Sequence, residues 1–271
     1  LRNKTNTEMN NTHTFKLTSG VECEVKEMTG LHQRLLTEQK KKKVGENLEI
    51  MLADLIVRVG SERTITPEFV RNMLASDRKK ALTEIQQFTN DFDPVFKFIW
   101  HYESVEGGKK EHELEIDLSG GFPMTTLKVL QPDGTLIDAD YKEYSEIQRN
   151  YYTILPKTKL KVRLSLLDGV GETKGLNTKL EERSSHTPIY MRFPCEMRET
   201  GNTETPISIN LDKLPIKDIE HLRKLIKEVE GQVDTEIMFE HPEAAQKAAN
   251  EKEVTIDVLG VTAFFFPSEA I

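Results

Sequence analysis

The chain has 271 residues, a formal charge of -8, and 37% hydrophobic against 30% charged residues. That balance is too apolar for a disordered chain, too polar for a membrane protein, and too acidic for general affinity to phosphate backbones. Its two cysteines, Cys23 and Cys195, are far apart and sit beside apolar residues, so both read as core thiols and not as a disulfide or a zinc site.

Residues 1–13 are polar and lack the apolar stretch of a signal peptide, so they read as a tail, with synthesis and folding expected in the cytosol. No run approaches the roughly 18–20 apolar residues of a membrane span. From Phe15 to Val25 apolar and polar residues alternate, predicting a hairpin that turns at Thr18-Ser19-Gly20. Thr29-Gly30 opens a helix running to about Lys41. The Lys40–Lys43 run at its end offsets the helix dipole and faces water; a polyanion-binding patch is the alternative. Leu48, Met51, Leu52, Leu55, Ile56 and Val59 mark one buried helical face over Glu46–Val59. Thr66-Pro67-Glu68 starts a further helix, and Asp77 is expected to cap the next, which Pro94 stops. Phe96, Phe98 and Trp100, then Leu114, Ile116 and Leu118, predict a hairpin around Glu106-Gly107-Gly108-Lys109.

In the second half, Gln131–Thr135 is a turn and Asp138–Tyr152 reads as a helix. Tyr152, Ile154, Leu160, Val162 and Leu164 then repeat the opening strand, turn and strand. Leu166-Leu167-Asp168-Gly169 stands where Met28-Thr29-Gly30 stood, ahead of a short helix. Ile189, Met191 and Phe193 predict a strand, with a turn at Thr200-Gly201-Asn202 and a return through Ile207, Ile209 and Leu211; this hairpin is matched with the Phe96–Leu118 one. Leu214-Pro215 opens a helix carrying Ile219, Leu222, Leu225, Ile226 and Val229 on one face. Val254, Ile256 and Val258, continuing to Phe264-Phe265-Phe266, predict the last strand. The expected fold is α+β in two weakly similar halves, each with β-hairpins packed against short helices: an N-terminal domain over 14–125 and a C-terminal domain over 126–271.

No nucleophile, metal cage or phosphate loop stands out. His101 and His112 are expected to face each other across the hairpin, as surface histidines or as two ligands of one ion. Asp168-Gly169-Val170-Gly171 contains G-x-G but lacks the third glycine of a dinucleotide loop. Glu22 and Glu24 share the solvent face of a strand. No catalytic residue, cofactor or metal is therefore expected, and the chain reads as a binding protein without nucleic-acid or membrane partners. The competing reading is a metal-dependent enzyme with a dispersed acid and histidine site. Phe264, Phe265 and Phe266 are contiguous, and a strand buries only alternate residues on one side. Either both faces are covered within the protein or one meets a partner. The same logic touches Tyr151 and Tyr152; with Trp100 these six residues are the candidate interface.

Several short motifs carry a resemblance. They are the Ser19-Gly20 turn, the strand Glu22-Cys23-Glu24-Val25-Lys26-Glu27-Met28-Thr29-Gly30, Leu35-Leu36, Asp77-Arg78 heading a helix, and a hairpin ending Ile116-Asp117-Leu118. With Leu155-Pro156-Lys157-Thr158 and Arg163-Leu164 in the second half, they resemble the T-even-type phage baseplate family, which includes hub components and a hub assembly factor of contractile tails. Many members place a CxxC pair in the hairpin; here Trp100-His101-Tyr102-Glu103 and Lys110-Glu111-His112-Glu113 hold no cysteine, which argues against zinc. The resemblance implies a structural or assembly role in a virion tail baseplate, made in the host cytoplasm and packed in a multi-subunit complex with other baseplate or tail proteins. It implies no catalytic residue.

Overall fold

Alternation of Leu17, Val21, Cys23 and Val25 with polar residues gives the opening hairpin, β1 (Thr12–Lys16) with β2 (Glu22–Lys26), whose apolar side is buried. The computed structural model describes residues 11–37, 46–131, 133–177, 185–200, 203–247 and 251–258. Gly20 closes the turn at φ +88°, where a Cβ would also meet the Asp140 backbone at 2.7 Å, so two constraints demand glycine. Next come α1 (Gly30–Thr37) and α2 (Glu46–Leu55). The helical face predicted to reach Val59 stops early: Ile56–Val59 forms β3, antiparallel to β2. A short apolar run fits either period, and Ile-Val-Arg-Val is β-branched at every position but Arg58 and lies against an open strand edge.

α3 (Pro67–Arg71) begins as predicted, with the Thr66 hydroxyl accepting from the Phe69 amide. α4 (Ala75–Thr89) follows, but Asp77 does not cap it. It lies in the first turn, pointing inward. β4 (Val95–Glu103) and β5 (Lys109–Asp117) form the predicted hairpin around Gly107 and Gly108.

Between the two repeated units come β6 (Met124–Thr125), β7 (Lys128–Leu130) and β8 (Leu136–Asp138), the last two joined by the expected Gln131–Thr135 turn. The helix predicted over Asp138–Tyr152 is absent apart from one 3-10 turn at Tyr144–Glu146. Tyr144, Ile147 and Tyr151 have helical spacing and are all buried, but an irregular segment leading into β9 (Asn150–Ile154) buries them. β10 (Lys161–Ser165) returns, and α5 (Gly169–Asn177) is the short helix expected there. The strand predicted over Ile189–Phe193 is instead α6 (Thr187–Tyr190), because Pro188 in the first turn favours a helix start. β11 (Cys195–Thr200), β12 (Thr203–Ser208) and α7 (Ile216–Val229) follow, with Leu211 in a 3-10 turn. β13 (Gln232–Val233), β14 (Glu236–Glu240) and β15 (Glu253–Asp257) end the described chain; Phe264, Phe265 and Phe266, placed in the last strand by the sequence, lie outside the described residues. The fold is α+β. One sheet has the order β1-β2-β3, a second β12-β11-β10-β9, and four pairs stand as two-stranded ribbons.

The two halves repeat one plan. Each opens with a hairpin, passes through a short helix that begins at Gly30 or Gly169, and adds a third strand to the hairpin, β3 or β11. A helix follows whose entry residue has the same extended backbone, Leu74 at φ -58°, ψ 141° and Pro215 at φ -55°, ψ 144°. The third residue of that helix is in both cases a fully buried aspartate gripping the hairpin turn. Asp77 Oδ1 accepts from the Thr18 hydroxyl at 2.6 Å and the Ser19 amide at 3.0 Å. Asp218 accepts from the Lys157 amide at 2.7 Å, the Thr158 amide at 3.0 Å and the Thr158 hydroxyl at 2.8 Å. Each half then ends in a hairpin, so β4–β5 corresponds to β14–β15 and not to the Ile189–Leu211 segment. One cluster of buried apolar side chains takes members from both halves, from Leu17 to Val258. The segment between the halves is stitched in: the Leu127 amide donates to the Thr18 carbonyl and the Tyr144 hydroxyl accepts from the Leu74 amide.

The two aspartates differ in charge economy. Burial raises the Asp77 pKa, only partly offset by the Thr18 and Ser19 donors, and its Oδ2 has no hydrogen-bond partner. For Asp218 burial also pulls upward, but the Lys157 and Thr158 donors outweigh it and the net shift is down. Asp77 therefore holds its proton to higher pH in the folded chain than in the unfolded one, and stability falls as pH rises between those two values. Asp77→Asn, which cannot titrate, is expected to remove that fall from the pH dependence of denaturant unfolding. Asp218→Asn, which loses an acceptor serving two donors, is expected to cost about 1–3 kcal/mol in denaturant unfolding.

Candidate interaction surface

The residues that suggest chemistry in the sequence are spent on structure. His101 lies opposite Glu111 and His112 opposite Trp100, so the two histidines occupy opposite faces of the hairpin and cannot share one ion. Among the described residues no group of three or more His, Cys, Asp or Glu is placed to hold a metal. Glu22 and Glu24 both pair with Arg58 across the sheet, at 2.5 and 3.3 Å. The Gly169-Val170-Gly171 stretch serves packing: a Cβ at Gly169 would meet the Arg71 carbonyl at 2.6 Å, and one at Gly171 the Met191 carbonyl at 2.4 Å. Cys23 is buried as expected, and burial pushes its thiol pKa up strongly; Cys195 is only partly buried. The Lys40–Lys43 run lies outside the described residues.

Two buried arginines among the described residues pair with glutamates. The Arg192 guanidinium meets both oxygens of Glu230 at 2.6 Å, and the Tyr151 hydroxyl donates to the same carboxylate at 3.3 Å. Neither sequence pattern nor spacing announces this pair, because Arg192 and Glu230 stand 38 positions apart. Arg78 likewise pairs with Glu172 across the two halves. Removing one partner of a buried pair strands the other charge, so Arg192→Met is expected to cost about 3–5 kcal/mol in chemical denaturation, and adding Glu230→Met to recover most of it.

Of the candidate interface residues, Trp100 packs internally. Its ring stacks on Tyr102 at 5.0 Å and meets Phe239 and His241 edge-on at 5.2 and 5.3 Å, which clamps β4–β5 against β14–β15. Glu243 latches the same contact, accepting from the Lys110 ammonium, the Val105 amide and the Ser104 hydroxyl, each at 2.8 Å. The Lys110 ammonium first, then those two donors, hold the Glu243 pKa down at about 2. Its share of the latch is therefore complete above the ordinary carboxylate range and lost as pH falls through about 2. A carbon-detected NMR titration of Glu243 should show that midpoint, and Lys110→Ala should move it upward. Tyr151 is buried and committed to Glu230.

Tyr152 differs. It is 39% exposed, beside Ile154 at 64%, on the outer strand of the four-stranded sheet, with the Lys161 ammonium 5.7 Å from its ring centre. Next to it runs a groove of about 770 Å³. One wall is Leu127–Leu130, leading into and along β7, the other is β9, and Leu225 and Val229 of α7 close it on the inner side. That is a large cleft by the standard of ligand sites, lined largely by apolar side chains, with Lys128, Lys161, His221 and Glu228 also on its walls. The sequence marks half of it, through Tyr152; the β7 wall is too short to register as a strand.

No family profile, curated protein or solved structure matches this chain.

Proposed function

We propose that the chain is a structural or assembly component of a contractile-tail phage baseplate, acting by binding other baseplate or tail proteins. The observation that carries this reading is where the motif residues of the resemblance fall. Ser19-Gly20 forms the first turn, Met28-Thr29-Gly30 leads from β2 into α1, and Asp77-Arg78 heads the helix that grips that turn. Ile116-Asp117-Leu118 ends the hairpin, and Lys157-Thr158 is the second turn held by Asp218. Motifs that build a shape, with histidines and buried charges committed to internal partners, support a role exercised through surfaces.

On this reading the chain is made in the host cytoplasm and works beside neighbouring subunits in the tail. Cross-linking and size fractionation of infected lysate should find it in a large complex with other tail proteins. Recovery of free monomer alone at every stage of infection would sink the proposal. Mass spectrometry of purified particles then separates a virion part, present in them, from an assembly chaperone, absent.

A further inference from the structure

Strand pairing leaves a slot in the second half. Among the described residues β9 is the last strand of its sheet, and β7 pairs only with β8. The register fixes which backbone groups are unused. The Leu166 amide donates to the Arg149 carbonyl and the Leu155 amide to the Leu160 carbonyl, so Tyr151 and Thr153 bond to β10 and the intervening Tyr152 and Ile154 aim their N–H and C=O away from it. In β7–β8 the Ala139 amide donates to the Leu127 carbonyl and the Gln131 amide to the Thr135 carbonyl. By the same alternation Lys128 and Leu130 aim theirs away from β8. The groove lies between these two edges.

We infer that the groove between β7 and β9 takes an extended strand from another polypeptide of the assembly, uncharged and apolar at successive positions. This deepens the assembly reading and rests on it. Two unused strand edges facing one cleft select an extended backbone, because only that satisfies both rows of donors and acceptors. The side chains select an apolar run. Leu225 and Val229 wait on the inner face, while exposed Tyr152 and Ile154 stand beside the slot on the outer one, so a strand seated there meets apolar side chains on both faces. No net charge is asked of it: Lys128 pairs with Asp138, Lys161 with Glu204, and Glu228 with Lys224. The opposite edge of the same sheet is guarded, since β12 carries Glu204 and Pro206, whereas β9 has neither a proline nor a charged residue. The unguarded edge is the one that opens on the groove.

The test uses the purified full chain and a synthetic peptide of six consecutive Val and Phe residues between lysine pairs. Binding should slow hydrogen exchange at the Lys128, Leu130, Tyr152 and Ile154 amides. N-methylation of alternate peptide residues, which removes N–H donors and keeps the side chains, should weaken binding about tenfold or more. Equal binding of the methylated peptide, or unchanged exchange at those four amides, overturns the inference. Slow exchange in the free chain also overturns it: if independent of concentration the occupant is a segment of the same molecule, and if lost on dilution it is a second copy. A chain that joins tail particles while these amides stay unprotected there retains its assembly role and loses the strand partner.

Discussion

A buried carboxylate reaching from the first turn of a helix to the tip of a hairpin is the contact on which the architecture hangs. Hairpin turns are held weakly by their own hydrogen bonds, and two strands alone are marginal in water. Asp77 and Asp218 remedy this by binding turn donors directly, so that each hairpin and the helix packed beneath it become one body. Strand, helix and turn are then oriented together, and the third strand, β3 or β11, has a fixed edge on which to pair. The arrangement occurs twice, with different donors and an opposite balance between burial and hydrogen bonding.

Much of this was legible from the amino-acid pattern. The hairpins around Gly20, Gly107 and Leu155–Thr158 and the helices over α4 and α7 follow from period and turn chemistry, and the repetition of the plan is visible at Gly30 and Gly169. What escaped the pattern is non-local. Ile56–Val59 has a spacing that suits a helix as well as a strand, and only the open edge of β2 decides between them. Asp77 has the chemistry of a cap, and its role depends on a turn 58 positions earlier. Tyr144, Ile147 and Tyr151 mimic a helical face because an irregular segment happens to bury residues three and four apart. The groove was half legible: exposed Tyr152 belongs to a recognisable strand, but β7 is three residues long and carries no periodic signal.

Among the described residues most buried polar side-chain atoms have hydrogen-bond partners. Against that background an open, unguarded strand edge beside an apolar cleft is the feature that internal bonding does not account for. Proteins ordinarily blunt such edges because they recruit other chains. Here the sheet blunts one edge, at Pro206, and leaves the other bare.

The two sulfur atoms also make the protein its own gauge of integrity. Cys23 is sealed in the first sheet with its thiol kept protonated, while Cys195 on β11 is partly open to solvent. Because the thiolate is the reactive species, alkylating reagents meet one accessible sulfhydryl in the intact molecule and two once the first half loosens. A label can thus be seated at one known point, the first residue of β11, and appearance of a second equivalent reports loss of the N-terminal sheet.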